Sequence, residues 1–98
     1  MHRVVFAPEA NKQIVELYRY VAERGSPAVA TSFTRAVVDC CERLAHFPRR
    51  GTRRDDIRPC LRTVGFRRRV TIAFTVSTNT VTILGVYYGG RDFETSLR

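Results

Sequence analysis

The spacing of the apolar residues changes once along this 98-residue chain, and the change limits the folds that it can adopt. Between Ile14 and Leu44, apolar residues recur at the three- to four-residue spacing of helices that bury one face. After Pro48 they alternate with polar residues, as they do in strands. A helical part followed by a strand-rich part predicts an α+β fold in which helices cover one face of a sheet.

Two helices are predicted in the first half of the chain. The first begins at Pro8, because proline needs no hydrogen-bond donor in the first turn, and it ends near Gly25. The second has Ser26 as its N-cap and Pro27 as its first residue, and Pro48 lies just beyond its end. Because the link between the helices is so short, we expect them to pack as an antiparallel hairpin.

Four strands are predicted, and their limits are residues 2–6, 60–66, 69–76 and 80–88. The last strand is apolar on both faces, which is typical of a central strand. The expected order is therefore β-α-α-β-β-β, an antiparallel sheet packed against a helical hairpin, in a single domain spanning residues 1–98. How the first strand joins the sheet stays open, and the polar tail is expected to be loose or weakly helical.

Several classes of protein are disfavoured by the sequence. The longest apolar run is far shorter than the roughly 18 residues of a membrane span, and the N-terminus does not resemble a signal peptide, so we expect a cytoplasmic protein. The spacing of Cys40, Cys41 and Cys60 fits no zinc pattern, and we interpret all three as small buried apolar side chains. No metal or cofactor is expected.

Positive charge is concentrated in the second half of the chain. The formal net charge is +8, and sixteen of the seventeen basic residues are arginine. Residues 1–48 hold six basic and five acidic side chains, whereas residues 49–98 hold eleven and four. Arginine binds phosphates and carboxylates through a planar fork. This asymmetry predicts an acidic partner, either a nucleic acid or an acidic protein segment.

Four short motifs occur in a fixed order, and together they point to a family. They are FAPEA after the first strand, FPRRG after the second helix, LR in the next strand, and ILGVYYGGRD at the end of the last strand. In order and spacing, over about residues 3–92, the chain resembles the RelE/ParE superfamily of toxins from bacterial type II toxin–antitoxin modules. The resemblance implies the same β-α-α-β-β-β fold, and an acidic antitoxin that wraps the toxin by adding a strand or laying a helix into a groove.

The superfamily has two main activities, and the resemblance favours one of them. RelE-like members cleave mRNA on the ribosome, whereas ParE-like members inhibit DNA gyrase and are not known as nucleases. The long, closely joined helices, the VYYGGRD segment and the short tail favour a ParE-like toxin, and the lysine pair of RelE-like enzymes is missing. We therefore expect a gyrase inhibitor that arrests growth and stabilises plasmids, rather than an enzyme. A ribosome-dependent endoribonuclease and an inactive, antitoxin-binding regulatory member remain the alternatives.

The resemblance also implies functional residues. If the chain were an RNase, the catalytic candidates would be Arg62, Arg68 and Tyr88, although a guanidinium is a poor base. As partner-binding residues we expect Arg58, Arg62, Arg67, Arg68, Arg69, Tyr88 and Arg91.

Each of these residues also has a purely structural interpretation. Residues 67–69 would then be a solvated hairpin tip. Residues 49–54, which are not among the partner-binding candidates, are expected to form an exposed loop. Arg62 would brace the sheet through an ion pair with Asp92. One of Tyr87 and Tyr88 would pack in the core, because neighbouring residues of a strand point to opposite faces.

Overall fold

A computed structural model of the chain describes residues 1–89 and 92–98. In chain order the elements are β1 (Arg3–Phe6), α1 (Pro8–Arg24), α2 (Pro27–Glu42), a short 3-10 turn (Arg43–Ala45), β2 (Thr52–Arg53), β3 (Leu61–Phe66), β4 (Val70–Val76), β5 (Thr80–Tyr88) and α3 (Phe93–Leu97). The predicted order is confirmed, with two additions: the two-residue strand β2 and the short helix α3.

The local signals in the sequence place the helix ends as expected. Pro8 and Pro27 are the first residues of α1 and α2. The hydroxyl of Ser26 accepts a hydrogen bond from the Val29 amide at 3.2 Å, which satisfies one of the free donors of the first turn. At the other end of α1, the Gly25 amide donates to the Val21 carbonyl at 2.8 Å. Two residues therefore connect the helices of the hairpin.

The strands form one sheet in the order β1-β5-β4-β3-β2, so β5 is central as predicted. The pairs β2–β3, β3–β4 and β4–β5 are antiparallel. β1 lies parallel to β5, with Arg3 opposite Thr80 and Phe6 opposite Ile83. The sheet is therefore mixed. Between β1 and β5 the chain forms the helical hairpin and three strands, and it enters β5 running in the same direction as β1.

A bulge in β5 changes which face its residues point to. Ala73 lies opposite Gly85 and Phe74 lies opposite Ile83, so Leu84 is an extra residue in β5. Ile83 and Val86 both pack against the helices. Without the extra residue, strict alternation would place them on opposite faces.

Each face of the sheet has its own apolar core. The face covered by the helices, the helix face, buries residues from both helices, the 3-10 turn, β4 and β5: Leu17, Val37, Cys41, Leu44, Ile72, Phe74, Val81 and Ile83. The other face, the second face, packs against α3 and the loop that precedes β3, and it buries Ile57, Leu61, Ala73, Tyr87 and Leu97. None of the helices that the structure describes is long and apolar enough to cross a bilayer.

The interpretation of the cysteines as buried side chains is right for one of them and wrong for another. Cys41 has no exposed surface, and its burial raises the pKa of its thiol to about 12. Cys40 is half-buried. Cys60 is exposed, because it lies in the turn before β3 with a left-handed φ of +65°. Its amide donates to the Asp55 carboxylate at 2.9 Å, which holds that turn.

Candidate partner-binding surface

The turn between β3 and β4 presents three exposed arginines at one end of the sheet. The amide of Arg69 donates to the carbonyl of Phe66 at 3.1 Å, which closes the turn. Both central residues are left-handed, with φ of +50° at Arg67 and +59° at Arg68. This is the backbone of a type I′ hairpin turn, which normally uses Asn-Gly or Gly-Gly. A non-glycine residue in this region is strained by about 1–3 kcal/mol.

Relieving this strain should stabilise the fold. We expect Arg68→Gly to raise the free energy of unfolding by about 0.5–1 kcal/mol, since the strain relieved exceeds the backbone entropy that glycine costs. Arg69→Gly is the matched control: it removes the same charge, but Arg69 is not among the left-handed residues, so it should not stabilise. Urea denaturation of both variants measures their free energies of unfolding. A stabilisation by Arg69→Gly as large as that by Arg68→Gly would contradict strain at position 68.

Tyr88 lies beside this turn and belongs to an aromatic cluster on the helix face. It pairs with Val70, and the next residue, Gly89, donates its amide to the carbonyl of Arg69 at 2.8 Å. The ring centroid of Tyr88 is 4.7 Å from that of Tyr20 and 6.3 Å from that of Phe33. The Tyr88 ring is therefore partly structural.

Two further residues complete the description of this end of the sheet: Tyr87, which points away from Tyr88 as predicted, and Arg24, which brings a positive charge to the aromatic cluster. Tyr87 is only 5% exposed and lies on the second face, so the two tyrosines do point to opposite faces. The guanidinium carbon of Arg24 lies 3.7 Å from the centroid of the Tyr20 ring, a cation–π contact. Positive charge from α1 thus adjoins the aromatic cluster that Tyr88 completes.

A cleft runs between α1 and the last part of β5. It has a volume of about 280 Å³ and is lined by Gln13, Glu16, Leu17, Tyr20, Val86, Tyr88 and Gly89. The cleft exists because β1 pairs with β5 only as far as Ile83. Beyond that point, α1 rather than a strand borders this side of β5.

The buried side chain of Gln13 satisfies a backbone amide of β5 that a neighbouring strand would otherwise satisfy. It is 8% exposed, and its Oε1 accepts a hydrogen bond of 2.7 Å from the Val86 amide. Sequence reasoning missed this residue, although a signal was present: Gln13 lies one turn before Leu17, on the buried stripe of α1. A polar residue on such a stripe needs a buried partner.

A second group of arginines lies at the far end of β3. Arg53 on β2 and Arg62 on β3 are directly opposite each other. Arg58, another predicted partner-binding residue, is exposed in the loop before β3. Arg91 lies outside the described residues. The predicted residues thus form two separate groups, one around the β3–β4 turn and one around Arg62.

The segment predicted to be an exposed loop, residues 49–54, is mostly exposed but includes the strand β2. Its last residue, Arg54, is half-buried and forms ion pairs with Asp56 at 2.9 Å and Glu94 at 3.4 Å. These contacts tie the loop to α3. The pKa values of the two aspartates that follow, Asp55 and Asp56, are lowered chiefly by side-chain hydrogen bonds from Arg53 and Arg54 respectively.

The ion pair considered for Arg62 and Asp92 is not formed. The Asp92 carboxylate instead accepts hydrogen bonds from the amide and hydroxyl of Thr95, at 3.2 and 2.6 Å, and so caps α3. The two residues are also on opposite sides of the sheet: α3 packs on the second face, whereas Arg62 alternates with the inward-facing Leu61 of that face. The interpretation of Arg62 as a brace to Asp92 was therefore wrong.

Comparison with known proteins decides the family. Residues 4–93 match the family described as the ParE toxin of the type II toxin–antitoxin system parDE. The chain belongs to the ParE toxin family. It is thus the toxin component of a type II toxin–antitoxin module, and an antitoxin partner is implied. A search of curated proteins gave no match.

A solved structure agrees with the fold of this ParE-family chain. It is that of a chromosomal ParDE system from P. aeruginosa, with a TM-score of 0.79 and 19% sequence identity. The match covers 91% of this chain and 97% of the other. At this identity the likeness establishes the fold, which is the α+β arrangement predicted from the sequence.

The geometry of this ParE-family chain also separates the residues that an RNase would need. Arg62 is opposite Phe74 on β4, whereas Tyr88 is opposite Val70. Four residues along a strand and two strand spacings across the sheet put the Cα atoms of Arg62 and Tyr88 roughly 16 Å apart. Arg68 lies in the turn near Tyr88. The three RNase candidates are therefore not gathered around one point on the sheet.

Proposed function

We propose that this chain inhibits DNA gyrase and that an acidic antitoxin neutralises it. The observation that carries the proposal is the match of residues 4–93 to the ParE toxin family. Toxins that act by binding a target need an accessible surface rather than a catalytic centre. The exposed, strained arginine turn and the neighbouring cleft offer such a surface.

The spacing of Arg62 and Tyr88 supports binding over RNA cleavage. An RNase acting through the 2′-hydroxyl needs a base, an acid and a cation within hydrogen-bonding reach of one phosphate. With Cα atoms roughly 16 Å apart, Arg62 and Tyr88 could share one scissile phosphate only if both side chains extended toward each other. Tyr88 is instead engaged with the rings of Tyr20 and Phe33.

The cleft beside β5 suits a segment of the antitoxin. Its floor is apolar at Leu17 and Val86, and Gln13 already satisfies the Val86 amide, so the cleft suits the apolar side chains of a helix laid into it rather than an added strand. Arg24 and the arginines of the β3–β4 turn are positive charges at the same end of the sheet. An acidic segment with apolar anchors would match both features, and its charge would speed association.

The experiment that tests the proposal is a supercoiling assay with purified gyrase and relaxed plasmid, run with the toxin alone and with toxin plus antitoxin. We expect supercoiling to stop, linear DNA to accumulate, and the antitoxin to reverse both effects. If gyrase is unaffected while induction of the chain still arrests growth, the gyrase proposal is wrong. If induction does not arrest growth, an inactive, regulatory role replaces it.

Tyr88→Phe distinguishes a gyrase inhibitor from an RNase. The substitution keeps the ring, and so the contacts with Tyr20 and Phe33, but removes the hydroxyl. We expect growth arrest and gyrase inhibition to stay within about twofold of the wild type, because neither needs proton transfer. A general acid or base contributes about 10²–10⁴-fold, so an RNase that used Tyr88 would lose that factor. Primer extension on mRNA from induced cells provides the second measurement, and cleavage abolished by Tyr88→Phe would contradict the proposal.

A further inference from the structure

A small pocket lined by arginines lies at the start of β3, at the opposite end of that strand from the arginine turn. Its volume is about 90 Å³, and its walls are Arg49, Arg53, Cys60, Arg62 and Val76. The cleft that borders Tyr88 does not include any of these residues. The pocket is therefore a separate site from the surface proposed above for the antitoxin.

Two of the arginines occupy directly opposed positions in the sheet. Arg53 and Arg62 are register partners on the antiparallel strands β2 and β3. Like charges at directly opposed positions of a sheet repel each other. β2 has only two residues, and one of them is the arginine that lies opposite Arg62. An anion held between the two would turn this repulsion into attraction.

The charge already present in the pocket is only partly balanced. Asp55 accepts hydrogen bonds from Nε and Nη2 of Arg53 at 3.0 and 3.1 Å. A guanidinium has five N–H donors, so this bidentate contact leaves Arg53 about three for another acceptor. Three arginines and one aspartate give the pocket a formal charge of +2.

Arg62 has few partners of its own and is available to a ligand. Its one hydrogen bond in the described part of the chain runs from Nη1 to the Arg50 carbonyl, at 3.5 Å, which is long for a hydrogen bond. Among residues 1–89 and 92–98, no carboxylate lies within ion-pair distance of its guanidinium. Arg62 is nevertheless half-buried, so its charge acts in a partly desolvated place.

We propose that this pocket binds one phosphate group of a nucleic-acid backbone. A phosphate presents oxygens in several directions, which suits guanidinium groups that approach from β2, β3 and the loop before β2. A peptide carboxylate offers only two oxygens in one plane. The pocket is too small for a nucleoside, so it would read charge and not base sequence. This inference does not depend on gyrase, because the pocket would bind the phosphate in the isolated chain.

An NMR titration of the full ¹⁵N-labelled chain in a chloride buffer tests the proposal. One arm adds inorganic phosphate, and the other adds a dinucleotide whose single internucleotide phosphate is its one charge. We expect saturable shifts of the Cys60 and Arg62 amides in both arms, and competition between the two ligands. Saturation with inorganic phosphate alone, with no binding of the dinucleotide, would overturn the assignment to a nucleic-acid backbone.

Four variants make the titration specific to the pocket. Arg62→Ala and Arg49→Ala should weaken binding roughly tenfold, since each removes charge-assisted hydrogen bonds. Arg49 is exposed in a loop, so its loss leaves the sheet intact. Asp55→Asn should tighten binding several-fold, because it removes a competing charge and keeps an acceptor for the Cys60 amide. Arg35→Ala, an exposed arginine on α2, is the charge-matched control. If Arg35→Ala weakens binding as much as Arg62→Ala does, or if Asp55→Asn has no effect, the pocket is not the site.

Discussion

Gln13→Leu is expected to lower the free energy of unfolding by about 2–3 kcal/mol. Leucine has nearly the volume of glutamine, so the substitution opens little space but removes the acceptor of the Val86 amide. That amide lies beside α1, with no strand to replace the lost bond. A buried donor left unsatisfied costs about 1–3 kcal/mol, and this site is at the upper end because Gln13 is 8% exposed.

Two measurements test the role of Gln13. Urea denaturation followed by circular dichroism gives the change in stability, and hydrogen exchange reports on the Val86 amide itself, which should lose protection. Asn11→Leu is the matched control: the residue is exposed on the same helix, so its stability should stay within about 0.5 kcal/mol of the wild type. Unchanged stability and unchanged Val86 protection in Gln13→Leu would show that the 2.7 Å bond contributes nothing.

Gly85→Ala is the second substitution with a large expected effect, a destabilisation of about 1–3 kcal/mol. A Cβ at this position would lie 2.5 Å from Cε2 and 2.6 Å from the hydroxyl oxygen of Tyr87. The ring of Tyr87 is buried against Phe93, with centroids 5.9 Å apart, so it cannot move without disturbing the second face. The glycine is thus needed for the ring to lie over β5.

Gly65→Ala is the control for Gly85→Ala. Gly65 lies on β3, is exposed, and has no heavy atom closer than 4.0 Å to the position of an added Cβ. Its replacement should stabilise the fold by about 0.5 kcal/mol, because the unfolded chain loses entropy. Thermal unfolding separates the two, with a lower Tm for Gly85→Ala and an equal or higher Tm for Gly65→Ala. Equal melting of both variants would mean that Tyr87 repacks without cost.

Local signals were enough to predict most of the elements of this fold. Ser26 and Pro27 mark the start of α2 because capping is local, and strict alternation marks β4. The parallel pairing of β1 could not be predicted, because the sequence of a four-residue strand does not indicate the direction of the strand with which it pairs. The bulge at Leu84 could not be predicted either. Because β5 is apolar on both faces, an extra residue does not change its pattern of apolar and polar residues.

The candidate site was predicted in part. The arginines of the β3–β4 turn and Tyr88 do lie together, because the antiparallel β4–β5 pair places Tyr88 opposite Val70, the residue that follows the turn. The opposition of Arg53 and Arg62 depends on β2, which is too short to give a periodic signal. The strained φ values at Arg67 and Arg68 run against what their residue type favours, so propensity could not predict them either.

The parallel pairing of β1 with β5 has a consequence for how the chain is made. Arg3 pairs with Thr80, so the pairing must wait until β5 has left the ribosome. The helical hairpin and the β3–β4 hairpin rest on contacts close in sequence and can form early, whereas the closing of this long loop comes late. The cleft beside Val86 is bounded by α1, near the start of the chain, and by β5, near its end. The proposed binding surface thus becomes complete only after β5 has been made, so a growing chain that has not yet reached β5 does not present it.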